Sequence, residues 1–164
     1  MEFLKRIKDR APEYDAKYAT LIYNYTSQQG GKAGTSTRED GYSKGMYFST
    51  VYEFYMYAAL LGMKRNYRIP ISYGTAKNKF IEMRAWRPND IVDYIIMGLV
   101  GKSDIDLNEI EKIEEDAAER KITQLKGLLE DYTNGGLDLI QTKLNEDPDY
   151  FINSETSFLD FLEN

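Results

Sequence analysis

The stretch 42–71, YSKGMYFSTVYEFYMYAALLGMKRNYRIPI, constrains the fold more than any other, because it holds the densest run of aromatic and aliphatic residues in the chain. Thr50 and Glu53 form a Ser/Thr-x-x-Glu capping box, in which the threonine oxygen and the glutamate carboxylate satisfy backbone N–H groups with no partner inside a helix. A helix start near Thr50 is predicted. Gly62 suits the position just past a helix end, with Lys64 and Arg65 beyond it at the negative end of the dipole. From Val51 to Leu61 every residue except Glu53 is apolar or aromatic. A helix apolar on all sides belongs in the middle of a domain. Glu53 is a lone acid among aromatics and so a candidate catalytic group, but the cap accounts for it without any chemistry.

The rest of the chain reads as further helices around this one. Glu2 to Arg10 suits a short helix, followed by Pro12. Tyr14, Tyr18, Leu21, Ile22 and Tyr25 recur at intervals of three to four residues and predict a second helix through EYDAKYATLIYNYTS. Residues 30–41, GGKAGTSTREDG, form a polar loop. Its GGKAGTST string is not a phosphate-binding P-loop, since Lys32 is followed by alanine and a helix rather than a strand precedes it. Residues 68–86 read as two short extended pieces around a glycine turn, compatible with one small β-hairpin. Pro88-Asn89-Asp90 opens a strongly apolar helix, IVDYIIMGLV, expected to be enclosed against 51–61. Asp106 and Glu109 suggest another cap, and an apolar stripe from Leu107 to Tyr132 predicts a long amphipathic helix. Asp104, Asp106, Asn108 and Glu115 match positions of a calcium loop, but Glu109 stands where that loop needs glycine. Asn134-Gly135-Gly136 is expected to end the long helix, with a shorter one over 136–145. After Pro148 an acidic, hydrophobic tail, 148–164, either docks on its own domain or serves as a peptide for a partner's groove.

Composition excludes several chemistries. There is no cysteine, hence no disulfide framework, thiolate nucleophile or zinc knuckle. There is no histidine either, which removes the usual general base and most transition-metal sites. Any catalysis would rest on carboxylates, lysine, tyrosine or serine, and no convincing paired-carboxylate element is present. No cofactor is expected. The N-terminal segment is charged and lacks the apolar run of a signal peptide. The longest apolar run, Phe54 to Met63, falls far short of the ~20 residues of a membrane span. A cytoplasmic location is expected by default.

Charge is unevenly distributed. Residues 30–100 carry ten Lys/Arg against six Asp/Glu, and residues 101–164 carry six against seventeen. Such halves suit solvated acidic helices, self-association through the basic middle and acidic C-terminal part, or a nucleic-acid face with an acidic back. Lys64, Arg65, Arg68, Lys77, Lys79, Arg84 and Arg87, with Trp86 as an aromatic platform, are the residues for a phosphate-binding patch. The competing reading makes Trp86 a core plug and the cations solvated or paired.

Two stretches also resemble a family. Tyr47-Phe48, then YEFYMYAALLG from Tyr52 to Gly62, basic residues and Arg68-Ile69-Pro70-Ile71 resemble small accessory proteins encoded beside bacterial DNA phosphorothioation and related phage-defence operons. LEDYTNGGLDLI, Leu129 to Ile140, is similar to their acidic-aromatic helix junction. The resemblance implies an accessory role with a protein partner encoded nearby, and it carries over no active-site residues.

The expectation is an all-α or nearly all-α single domain over 1–164. Helices 51–61 and 88–100 form its centre, covered by 106–132 and 136–145. It is read as a non-enzymatic interaction subunit of a DNA-modification or defence system. The alternative is a nucleic-acid-binding module using 64–87.

Overall fold

The computed structural model describes residues 2–26, 47–79 and 81–164; the polar loop expected at 30–41 lies outside them. Helices α1 (Glu2–Lys8), α2 (Ala19–Tyr25), α3 (Val51–Lys64), α4 (Asn89–Gly101), α5 (Leu107–Ile110), α6 (Glu115–Glu146) and α7 (Ser157–Glu163) account for most of it. Strands β1 (Glu13–Asp15) and β2 (Lys77–Lys79) form a small antiparallel sheet. The described residues are thus all-α apart from two short strands.

Helix α3 starts where its cap predicts. The Glu53 N–H donates to Thr50 Oγ1 at 3.2 Å, and Glu53 Oε2 accepts from the Ser49 N–H at 2.8 Å. The all-round apolarity of α3 has a direct cause: it lies between two hydrophobic clusters. Tyr55, Met56, Ala59 and Met63 join one, with Trp86, Ile95, Leu99, Ile122, Leu125 and Leu129. Phe54, Tyr57, Ala58 and Leu61 join the other, with Leu21, Ile22, Leu137, Phe151 and Phe158. Each face has apolar surface to cover, so no polar stripe is tolerated.

Gly62 does not end α3. The helix runs on to Lys64, and Asn66 takes the left-handed conformation (φ 49°) that closes it. The Tyr67 N–H reaches back to Gly62 O at 2.8 Å and the Asn66 N–H to Met63 O at 3.2 Å, the paired bonds of a Schellman end. Nor do Asn134-Gly135-Gly136 break the long helix, since α6 is continuous for 32 residues. These glycines lie instead where α3 and its exit loop cross α6. A Cβ on Gly62 would stand 2.0 Å from Tyr132 O, one on Gly135 2.2 Å from Tyr67 O, and one on Gly136 1.8 Å from Ala58 O. Glycine weakens an isolated helix by about 1 kcal/mol relative to alanine, and backbone contact between two buried helices offsets that cost.

Two other boundaries move. The helix expected from Glu13 begins at Ala19, because residues 13–15 pair as a strand with Glu13 opposite Lys79 and Asp15 opposite Lys77. Asp15 then caps a single 3-10 turn by accepting from the Lys17 N–H at 3.0 Å. The extended segment expected within 68–86 therefore supplies β2, but its partner comes from the N-terminal region. The amphipathic run from 106 is also interrupted. Asp106 caps only the one-turn α5, accepting from the Asn108 N–H at 2.8 Å, and α6 starts afresh at Glu115. Glu115 and Asp116 in its first turn complement the positive end of the dipole.

The C-terminal tail docks on its own chain. Phe151 and Phe158 are buried beside α3, with ring centroids 4.2 Å apart. The Tyr57 hydroxyl donates to Phe158 O at 2.6 Å, and burial pushes the Tyr57 phenol well above its ordinary pKa. Among the described residues no helix is long and apolar enough to cross a membrane.

Candidate interaction surface

Helix α4 is apolar nearly all round, yet only one of its faces is enclosed. Val92, Ile95, Ile96, Leu99 and Val100 are buried. Ile91, Tyr94 and Met97, one helical turn apart on the opposite face, are 38%, 71% and 41% exposed. This corrects the expectation that 88–100 is wholly covered: α3 occupies one side of it, and no described element occupies the other.

That outer face forms one wall of a groove of about 750 Å³. Leu60, Met63 and Lys64 of α3 form a second wall, and Leu159, Leu162 and Glu163 of α7 a third. Gly98 and Lys102 complete the α4 side. Gly98 keeps the wall thin, since a Cβ there would come within 2.6 Å of the Met63 methyl. Leu159 is 54% exposed.

Helix α7 is fixed by cations at the end of α3. The last carbonyls of a helix have no partner within it. The Arg65 guanidinium donates to Phe161 O at 2.6 Å and lies 5.2 Å from the Phe161 ring centroid. The Lys64 ammonium donates to Glu163 O at 3.0 Å. The first two residues of the proposed phosphate-binding patch thus hold the third wall of the groove in place. They also bring the basic middle of the chain onto its acidic C-terminal part within one molecule.

The other candidates fall into separate settings. Trp86 is 1% exposed, tilted against Tyr55 at 5.5 Å, and donates its indole N–H to Ile81 O at 3.1 Å. It is a core plug and presents no face to a base, which corrects its reading as a platform. Around it, Arg87 donates to Arg84 O, Trp86 O and Asn89 Oδ1, and Arg84 stands 3.8 Å from Asp9. Lys77 and Lys79 are exposed on β2, opposite the acids of β1. Arg68 lines a polar cleft of about 400 Å³ with Lys102, Ser103, Asp104, Gln124 and Asp131. Burial pushes the Asp131 carboxyl up, against the pull of the Arg68 charge. Among the described residues no cluster of three or more acidic side chains is placed to hold a metal ion.

Sequence reasoning did not single out Tyr94, Met97, Lys102 or Leu159. The available signal was the apolarity of α4 on its second face, which one buried neighbour cannot cover.

Fold and surface together define a helical domain with a buried central helix and an open apolar groove, without a recognisable catalytic constellation among the described residues. The chain belongs to the family described as DNA sulphur modification system-associated protein 4, which it matches over residues 36–159. No curated protein and no solved structure matches it.

Proposed function

We propose that this protein is a non-catalytic accessory subunit of a DNA sulphur modification system and works through protein–protein contacts. The family association makes the system the setting. The observation that carries the contact reading is the groove between α3, α4 and α7, whose apolar wall residues Tyr94, Met97 and Leu159 remain exposed. Soluble domains seldom leave contiguous apolar surface open unless something covers it. The lack of histidine and cysteine in the whole chain supports a non-catalytic role. An affinity-tagged chain, expressed from a strain carrying the system's genes, is expected to co-purify with at least one protein of that system. Recovery of the chain alone would refute the reading.

Direct nucleic-acid binding is the second reading, supported by exposed Arg68, Lys77, Lys79, Arg84 and Arg87. Loss of Trp86 as a platform weighs against it. It requires affinity that falls steeply with salt and disappears on combining Arg84→Glu with Arg87→Glu. Unchanged low-salt binding in that double variant removes it.

A further inference from the structure

The groove's occupant is constrained by charge as well as by apolarity. Resting on the accessory-subunit reading above, we infer that the groove seats an amphipathic helix of a partner protein, with acidic residues flanking its apolar stripe. Three helices form its walls, and a helical ligand fills such a channel with side chains at i, i+3 or i+4 and i+7. Tyr94 and Met97 lie one turn apart along the α4 wall and offer a matching spacing.

The preference for acid comes from the rim. Lys64 and Lys102 both line the groove, against Glu163 as the lining acid. Neither lysine is in an ion pair among the described residues: Lys64 donates to a backbone carbonyl, and Lys102 lies 5.5 Å from the centroid of the Tyr132 ring. The groove therefore carries a positive rim on a chain of net charge −6, and complementary charge selects and orients partners at such surfaces.

A second copy of this chain is a poor occupant. Its own acidic amphipathic segments already use their apolar residues internally. The α6 stripe of Ile122, Leu125, Leu129, Leu137 and Ile140 is buried, and so is Phe158 of α7. Apart from the α4 stripe of Ile91, Tyr94 and Met97, which is itself a wall of the groove, no described acidic helix keeps a free apolar stripe to offer a neighbour.

The test uses the full chain expressed with the system's genes, carrying a photo-crosslinking residue in place of Tyr94. A matched protein with the crosslinker in place of the fully exposed Tyr73, outside the groove lining, is the control. Position 94, and not 73, is expected to capture one partner segment that is net acidic, with apolar residues at helical spacing. Tyr94→Ala with Met97→Ala is expected to weaken the partner complex roughly tenfold or more with little change in the unfolding temperature, since neither side chain is enclosed and alanine suits a helix interior. Lys102→Glu, which leaves the Lys64 contact to α7 in place, is expected to weaken it and to flatten its salt dependence. Crosslinks to a second copy, to lipid, or to a basic or non-helical segment overturn the inference. So does a complex that forms normally in the Tyr94/Met97 double variant, which leaves the accessory reading standing and places the contact elsewhere. A chain that co-purifies with no protein overturns both.

Discussion

Gly136 provides the sharpest test of how the two central helices meet. A Cβ at this position would stand 1.8 Å from the carbonyl oxygen of Ala58, 2.6 Å from its carbon and 3.0 Å from its Cα. All three are backbone atoms of Ala58, in the fully buried middle of α3, so no side chain can swing aside. Reaching an ordinary contact distance requires α3 and α6 to separate by an ångström or more, and separation disturbs both hydrophobic clusters at once. Overpacking of this kind costs about 3 kcal/mol at the upper end of its usual range. Alanine returns about 1 kcal/mol of helix propensity. The net expectation for Gly136→Ala is a loss of about 2 kcal/mol or more, which at this chain length lowers Tm by roughly 4–8 °C. Gly127→Ala is the control, because it lies in the same helix and a Cβ there meets nothing within 4 Å. It is expected to stabilise by up to about 1 kcal/mol through propensity alone. Urea unfolding monitored by far-UV circular dichroism measures both, with equal slopes as the check that only the midpoint moves. If Gly136→Ala unfolds at the wild-type midpoint or above, the helices are not in backbone contact there. A break at 134–136, as the Asn-Gly-Gly string suggests, would then be the better description.

Two further outcomes probe the C-terminal region and the tyrosines. Tyr57→Phe removes the buried hydroxyl that donates to Phe158 O, a bond that contributes about 0.5–1.5 kcal/mol net. Amide exchange over 157–163 is expected to accelerate more than exchange over 122–140, and equal protection would show that the bond does not hold α7. Alkaline pH is the second perturbation. Burial raises the phenols of Tyr18, Tyr55 and Tyr57 above their ordinary value. A raised folded-state pKa leaves stability intact below the unfolded pKa of about 10, and stability falls as pH rises past it, because only the unfolded chain readily releases those protons. Urea midpoints are expected to be unaffected by these groups between pH 8 and 9 and to drop by pH 11. Spectrophotometric titration of the folded protein should leave these three phenols protonated after the exposed ones have ionised. Ionisation of all fourteen tyrosines near pH 10 in the folded state would contradict the burial of these side chains.

The helical class, the central position of 51–61 and the start of α3 follow from local chemistry. A threonine three residues ahead of a glutamate, just before an apolar run, is a local signature of a helix start, and a segment without a polar face is expected to be enclosed. The segment from Asn89 onward was equally legible as a helix. Its exposure was not, because periodicity reports how apolar a face is and not whether the fold supplies enough neighbours to cover it. Tyr94 and Met97 became a surface only when α3, α6 and α7 had taken their places.

Glycine and charge show the same division. Local rules read Gly62 and Gly135-Gly136 as ends, since glycine commonly follows a helix. The tertiary structure turned them into crossing points, because a missing Cβ matters most where another backbone arrives, and that partner is distant in sequence. Lys64 and Arg65 are legible as cations near a helix end. That they cap the carbonyls of α7, a hundred residues along the chain, depends on the docking of the tail. Trp86 likewise sits among arginines in sequence and inside the core in space. The sequence by itself determined which segments form helices and which helix must be buried, through capping, periodicity and apolar content. The tertiary structure decided which glycines touch, which cations are held and which apolar face stays open, because each depends on a partner that no local pattern names.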